Sequence, residues 1–156
     1  MIRALVAGDR DWVARFAHAR WGSDVVVADG REHQLSELPG FADLDGERVI
    51  GLVTYLIDGA RCEVISLDAV EQGRGVGSEL LERAVAAARA AGCRRLELIT
   101  TNDNLRAIRF YQRRGLRLVA VHPGAIERSR ELKPEIPLIG DHGIPLRDEL
   151  VFGRDL

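Results

Sequence analysis

The sequence predicts an α/β (α+β) fold with one mixed sheet, an antiparallel meander in the N-terminal half and a parallel strand-helix-strand unit after it. Three observations carry this. Asp45-Gly46 and Asp58-Gly59 separate three apolar runs, the pairing expected of tight hairpin turns because glycine accepts positive φ. From Val76 to Ala91 the chain is rich in Ala, Leu and Glu, with apolar residues recurring at helical spacing and Gly92 just past the end. The chain then returns within a few residues to another apolar run, Leu96 to Thr100, and a strand-helix-strand passage of this kind is a right-handed crossover between parallel strands.

The elements follow in order. Ile2 to Val6 is a short edge strand. Asp9 to Trp21 reads as a helix through Trp12, Phe16 and Ala19, stopped by Gly22. Val25 to Val27 forms a short extra strand, and Gly30 to Gly40, with Pro39 and its polar residues, reads as irregular chain. Phe41 to Asp45, Arg48 to Ile57 and Cys62 to Val70 make the meander. The helix over 76–91 has Glu79 and Glu82 near its start and Arg89 near its end, both matching the helix dipole. Asn104 to Arg114 is a second helix, N-capped around Asn102 to Asn104 and closed by Gly115, and Leu116 to Val121 is a strand. Four of the five prolines, Pro123, Pro134, Pro137 and Pro145, then fall in one stretch, which excludes regular sheet there but admits a short helix over 125–132. Leu150 to Phe152 is the last strand. No linker or repeat divides the chain, so residues 1–156 are expected to be a single domain with 122–147 as a long insertion between the last two strands.

Composition narrows the function classes. With 46% hydrophobic and 29% charged residues the chain has the make-up of a globular domain. Its 22 basic and 24 acidic residues leave a net charge of −2, which argues against a nucleic-acid binder. Of the 22 basic residues only Lys133 is lysine, and the planar forks of the 21 arginines suit phosphate and carboxylate. Most are read as compositional bias, with an anion-binding role reserved for the few near the glycine-rich turn inside which Arg74 lies; Arg106, Arg109, Arg113, Arg114 and Arg117 form a local basic block. No apolar run is long enough to cross a bilayer, and a cytoplasmic protein without membrane contact is expected. Cys62 and Cys93 lack CxxC spacing and the four histidines are scattered, so no metal is expected.

The chemistry-bearing segment is Leu67-Asp68-Ala69-Val70-Glu71-Gln72-Gly73-Arg74-Gly75-Val76-Gly77-Ser78. A strand gives way to a glycine-rich turn that opens straight into a long helix. Alternating glycines let successive N–H groups face one concavity, and the helix N-terminus adds free donors and partial positive charge. That is an anion cradle, although the same glycines would also serve a plain corner. The spacing is not G-x-G-x-x-G, and no lysine follows as a P-loop requires.

Gln72, Gly75 and Gly77 match the pattern Gln/Arg-x-x-Gly-x-Gly/Ala, and here the sequence resembles the GNAT superfamily of acetyl-CoA-dependent N-acetyltransferases. A second element, Asn104 to Tyr111 closed by Gly115-Leu116, is similar to the family's Asn-x-x-Ala-x-x-x-Tyr helix, with Leu116 in place of the usual Phe. The resemblance implies a GNAT-like sheet with splayed central strands and acetyl-CoA as co-substrate. It implies that Gln72, Gly73, Arg74, Gly75, Val76, Gly77 and Ser78 bind pyrophosphate mostly through main chain. Leu67 and Ala69 would meet the pantetheine arm through their backbones, with Asp68 at the strand end beside the cofactor. Asn104 and Tyr111 would face the cofactor, and Tyr111 would protonate the departing thiolate.

The implied reaction is direct acetyl transfer to a primary amine of a small molecule or peptide. A general base must take the amine proton. The family's glutamate positions fall here on Ile99 and Arg61; Glu63, two residues beyond Arg61 and therefore on the same strand face, is the leading candidate. Glu97 shares a face with Ile99. An acyl-enzyme through either cysteine is disfavoured. The 122–147 connection is the candidate lid over the acceptor. The alternative is a non-catalytic acyl-CoA-binding sensor or regulatory module on the same scaffold. A homodimer is compatible with either.

Overall fold

A computed structural model describes residues 1–156. In chain order the elements are β1 (Ile2–Ala4), α1 (Arg10–Trp21), β2 (Val25–Ala28), β3 (Arg31–Gln34), β4 (Gly40–Asp45), β5 (Arg48–Asp58), β6 (Arg61–Ala69), α2 (Val76–Ala90), β7 (Arg95–Thr101), α3 (Leu105–Arg113), β8 (Arg117–His122), α4 (Ala125–Leu132) and β9 (Glu149–Asp155). Seven strands form one mixed sheet in the order β1-β4-β5-β6-β7-β9-β8, and β2 with β3 forms a separate hairpin. The chain divides into two compact units, residues 1–26, 34–96 and 156 in one and residues 27–33 and 97–155 in the other. No helix is long and apolar enough to cross a membrane.

The first unit is built on the meander. β1 pairs with β4, β4 with β5 and β5 with β6, all antiparallel. The two Asp-Gly pairs close two-residue loops, with Asp45 opposite Arg48, Asp58 opposite Arg61, and Gly46 and Gly59 at φ of 62° and 59°. α1 lays Val13 on Ala42 and Leu52, with Leu5, Trp12, Phe16 and Leu44 around them. On α2 the residues Val76, Leu80, Leu81, Ala84, Val85 and Ala88 are buried, the stripe that the sequence spacing predicts. Gly51 on β5 is where α2 comes closest: a Cβ there would lie 2.5 Å from Val76 Cγ1 and 2.7 Å from Leu80 Cδ1. Leu52, its neighbour, points to α1. The two faces of β5 are thereby fixed, odd-numbered residues from Gly51 toward α2 and even-numbered ones toward α1.

The second unit carries α3, the antiparallel pair β8 and β9, and α4. α4 spans the residues expected from the proline-flanked segment. The rest of the 122–147 connection is irregular but stitched down. Arg130 donates to the carbonyls of Ile136 (3.2 Å), Pro137 (2.7 Å) and Leu146 (2.8 Å), and Asp103 Oδ2 accepts from the Asp141 N–H at 2.9 Å.

One sequence expectation is corrected. The stretch 30–40 is not irregular chain: it holds β3 and a short 3-10 turn, Leu35–Glu37. The reason is a third Asp-Gly pair, Asp29-Gly30, whose two residues both take left-handed backbone (φ 52° and 71°) and turn β2 into β3. Such a two-residue turn matches strand twist and favours Asp or Asn followed by Gly.

Candidate active site

The glycine-rich turn leads straight from β6 into α2. β6 ends at Ala69, the Val70 N–H donates to Ile50 O at 2.9 Å, and the chain then turns through Gly73 (φ 80°) and Gly75 (φ 77°). Both glycines lie in the left-handed region, where a side chain is strained. Gly75 is the N-cap of α2, and its carbonyl takes the first helical bond, from the Glu79 N–H at 3.0 Å. Gln72 to Gly75 are exposed whereas Val76 is buried against Gly51, so the turn is open to solvent and its far side is anchored. The head of a helix concentrates backbone donors and partial positive charge, which is what an anion requires.

Arg74 bonds Glu71 at 2.7 Å, and Arg48 bonds the other Glu71 oxygen at 2.7 Å. Arg74 first, then Arg48, holds the Glu71 carboxyl below its usual range. All three groups are at the surface, where such pairs contribute little stability.

β6 supplies the other residues of this half. Leu67 and Ala69 lie opposite Val53 and Gly51, on the α2 face, while Asp68 lies opposite Leu52 and turns to α1. The Asp68 carboxylate is clasped by Arg20, at 2.5 Å from Nε and 3.1 Å from Nη2. Any cofactor contact of Asp68 therefore falls to its main chain.

A β-bulge then changes the phase of the strand. Thr54 pairs with Ser66 and Tyr55 with Val64, which leaves Ile65 without an opposite residue. Beyond the bulge Cys62 faces α2 beside Tyr55, and Glu63, opposite Leu56, shares the α1 face with Ser66 and Asp68. Without the extra residue Glu63 would share the face of Leu67. Glu63 is largely covered, and Arg61 lies 3.9 Å away. Cys62 is buried, its thiol pushed up to about 12 by desolvation, then by Cys93 and Glu63. It is a neutral packing residue, not a nucleophile.

In the second unit Asn104 is the N-cap of α3, its Oδ1 accepting from the Ala107 N–H at 3.2 Å. Tyr111, two turns on, is buried. Its ring meets Phe110 edge-on at 5.5 Å and Phe152 at 6.1 Å. Burial pushes the phenol up to about 12, so it is fully protonated at neutral pH. A cavity of about 770 Å³ opens beside the start of α3, walled by Asn104, Leu105, Arg106, Arg109, Asp141 and His142. Two arginines of the local basic block thus share this wall with Asn104.

Sequence reasoning passed over a second cavity in this unit, of about 410 Å³, which includes Asp29, His122, Arg128 and Glu149 in its wall. These residues are far apart in the chain, and only folding joins them. The Asp29-Gly30 turn was the one signal available.

A family model described as Acetyltransferase (GNAT) family matches residues 10–116. The chain belongs to the GNAT acetyltransferase family. Two Bacillus subtilis (strain 168) proteins of uncharacterized function are similar over nearly their whole length: YxbD is 43% identical over 148 residues, covering 94% of this chain and 93% of YxbD. YdhI is 44% identical over 140 residues, covering 89% and 88%. Among solved GNAT-like structures, an IAA acetyltransferase from Bacillus cereus ATCC 14579 superposes with a TM-score of 0.75 at 24% identity, covering 100% of this chain and 99% of that one. A GNAT family acetyltransferase from Elizabethkingia anophelis, solved with acetyl-CoA bound, gives a TM-score of 0.68 at 19% identity over 78% of each chain. At these identities the two structures establish the shared fold. Membership of this family supports acyltransferase activity for the chain.

Proposed function

We propose that the protein transfers an acetyl group from acetyl-CoA to the primary amine of a small molecule or peptide, by direct attack and with Tyr111 as general acid. The observation that carries this is the turn Gln72–Ser78, with left-handed Gly73 and Gly75 at the head of α2, in a chain of the GNAT family. A Beutenbergia cavernae protein named mycothiol acetyltransferase, 38% identical over 82 residues (51% of this chain, 28% of that protein), agrees with an acetyl-transfer reading.

The residues divide the work as follows. Gln72, Gly73, Gly75, Val76, Gly77 and Ser78 offer main-chain donors to the pyrophosphate, and Arg74 exchanges Glu71 for a phosphate oxygen. Leu67, Asp68 and Ala69 meet the pantetheine arm through main chain, and Asn104 holds the start of α3. Glu63 takes the proton of the attacking amine as the C–N bond forms. As the C–S bond breaks, the thiolate draws on the Tyr111 phenol, whose proton is present at any working pH because burial holds it there. In a dry site the thiolate's own proton affinity also rises, which narrows the gap the transfer must cross.

The test is release of free CoA thiol from acetyl-CoA across an amine panel. Tyr111→Phe and Glu63→Gln are expected to slow release while leaving acetyl-CoA binding intact. Binding of acetyl-CoA with no release for any amine would instead mark an acyl-CoA-binding module.

A further inference from the structure

We infer that the cavity walled by Asp29, His122, Arg128 and Glu149 receives the acceptor, and that the acceptor is a zwitterion of the amino-acid class: its ammonium is held by Glu149 and Asp29, its carboxylate by Arg128. This rests on the acetyl-transfer reading above and names the substrate that reading leaves open; the bound ammonium gives one proton to Glu149 before attack, and the neutral amine gives its second to Glu63 as the C–N bond forms.

Glu149, the first residue of β9, is 1% exposed yet poorly partnered. Its two oxygens share one donor, the Asp29 N–H, at 3.2 and 3.4 Å. His122 Nδ1 stays at 3.9 Å from Glu149 and 3.7 Å from Asp29, beyond hydrogen-bond reach. A buried carboxylate normally accepts several donors, and Glu149 lacks them. Desolvation accordingly holds its carboxyl above the usual range. What completes such a group is a cation that brings its own N–H donors.

Arg128 presents the opposite demand at the rim. It is exposed, and its guanidinium makes one long bond, to Pro123 O at 3.3 Å. A planar fork with most donors uncommitted is suited to a carboxylate, which it can grip bidentately. A simple amine would satisfy Glu149 and leave Arg128 facing a second cation; a simple acid would do the reverse. A molecule bearing ammonium and carboxylate satisfies both.

The wall is fixed before any ligand arrives. The Gly124 N–H bonds Asp148 Oδ1 at 2.8 Å and the Ile126 N–H bonds Arg147 O at 2.9 Å, which pins the start of α4 and with it Arg128. Asp29 is held by its left-handed turn. About 410 Å³, with Val121 and Ala125 as apolar lining, suits a small amino acid rather than a macromolecule.

The experiment uses the full chain saturated with CoA and reads the thermal midpoint with each common L-α-amino acid and with its carboxamide. At least one acid is expected to raise the midpoint, with an apparent Kd at least tenfold tighter than its amide. Arg128→Gln should abolish that advantage while leaving the amide's affinity unchanged. Glu149→Gln, which keeps an oxygen for the Asp29 N–H, should weaken acid and amide alike, also by at least tenfold. Equal binding of acid and amide, or no binding by any acid, overturns the assignment. Thiol release with acetyl-CoA separates the two readings. Turnover of amines regardless of a carboxylate leaves acetyl transfer standing and removes the zwitterion. Acetyl-CoA binding without turnover of any amine removes acetyl transfer, and the acid and amide midpoints still decide the pocket.

Discussion

Tyr111 combines a buried ring with a phenol that burial keeps protonated. Tyr111→Phe preserves the packing on Phe110 and Phe152, so turnover should fall by about 10²-fold or more while acetyl-CoA affinity holds, as read by thiol release and calorimetry. A loss of affinity equal to the loss of turnover would make the residue a packing group. Because its phenol titrates near 12, no alkaline fall in activity below about pH 10 should trace to Tyr111. Asp9 illustrates a residue whose charge serves the fold. Its buried carboxylate takes bonds from Arg3 (2.7 and 2.8 Å), the Val6 N–H (2.8 Å) and Trp12 Nε1 (2.7 Å). Arg3 above all holds it well below the usual carboxylate range. A carboxyl lowered by folding stabilises above its unfolded value, 3.8, and that contribution is lost as pH falls through and below it. Asp9→Asn should cost about 2 kcal/mol at neutral pH and flatten the acid limb of the stability curve, measured by denaturant unfolding from pH 7 to 2.

At the scale of elements, the placement of the cradle depends on β5 as much as on the glycine turn. Gly51→Ala would push a methyl into Val76 and Leu80, the first turn of α2. The expected cost is about 1 to 3 kcal/mol of stability, with a weaker grip on acetyl-CoA because the helix start shifts. Unchanged affinity would show that the cradle is not set by this contact. The helix stripe from Val76 to Ala88 and the two hairpins were legible because their signals are local: a 3.6-residue period, and a glycine that accepts positive φ. The Ile65 bulge was not, since nothing in Val64-Ile65-Ser66 announces which residue is left without an opposite. Parity along the strand correctly paired Glu63 with Arg61, but the face both occupy relative to Leu67 and Asp68 depends on that extra residue. The Asp29-Gly30 turn carried the same local signal as the other two and was obscured by the polar residues that follow it.

For the whole molecule, the family match over residues 10–116 coincides with the part of the chain whose motifs could be read, from α1 to the turn after α3. The residues beyond it supply His122, Arg128 and Glu149, which meet Asp29 of the β2–β3 hairpin only through long-range contacts. The sequence motifs accordingly pointed to the donor chemistry and left the acceptor open. The 21 arginines separate in the same way: Arg20 and Arg3 clasp buried or half-buried aspartates, Arg130 stitches the long connection, Arg74 pairs with Glu71 in the glycine turn, and Arg106 and Arg109 wall the cavity at the start of α3. The central claim is that this chain binds acetyl-CoA as its donor, and the most direct test is thermal unfolding with and without it. At a ligand concentration 100 times Kd the gain is about 2.7 kcal/mol, roughly 5 to 10 °C for a chain of this size. A rise of that order, reduced in Gly75→Val, is the expected result; an unchanged midpoint at millimolar acetyl-CoA would contradict the account.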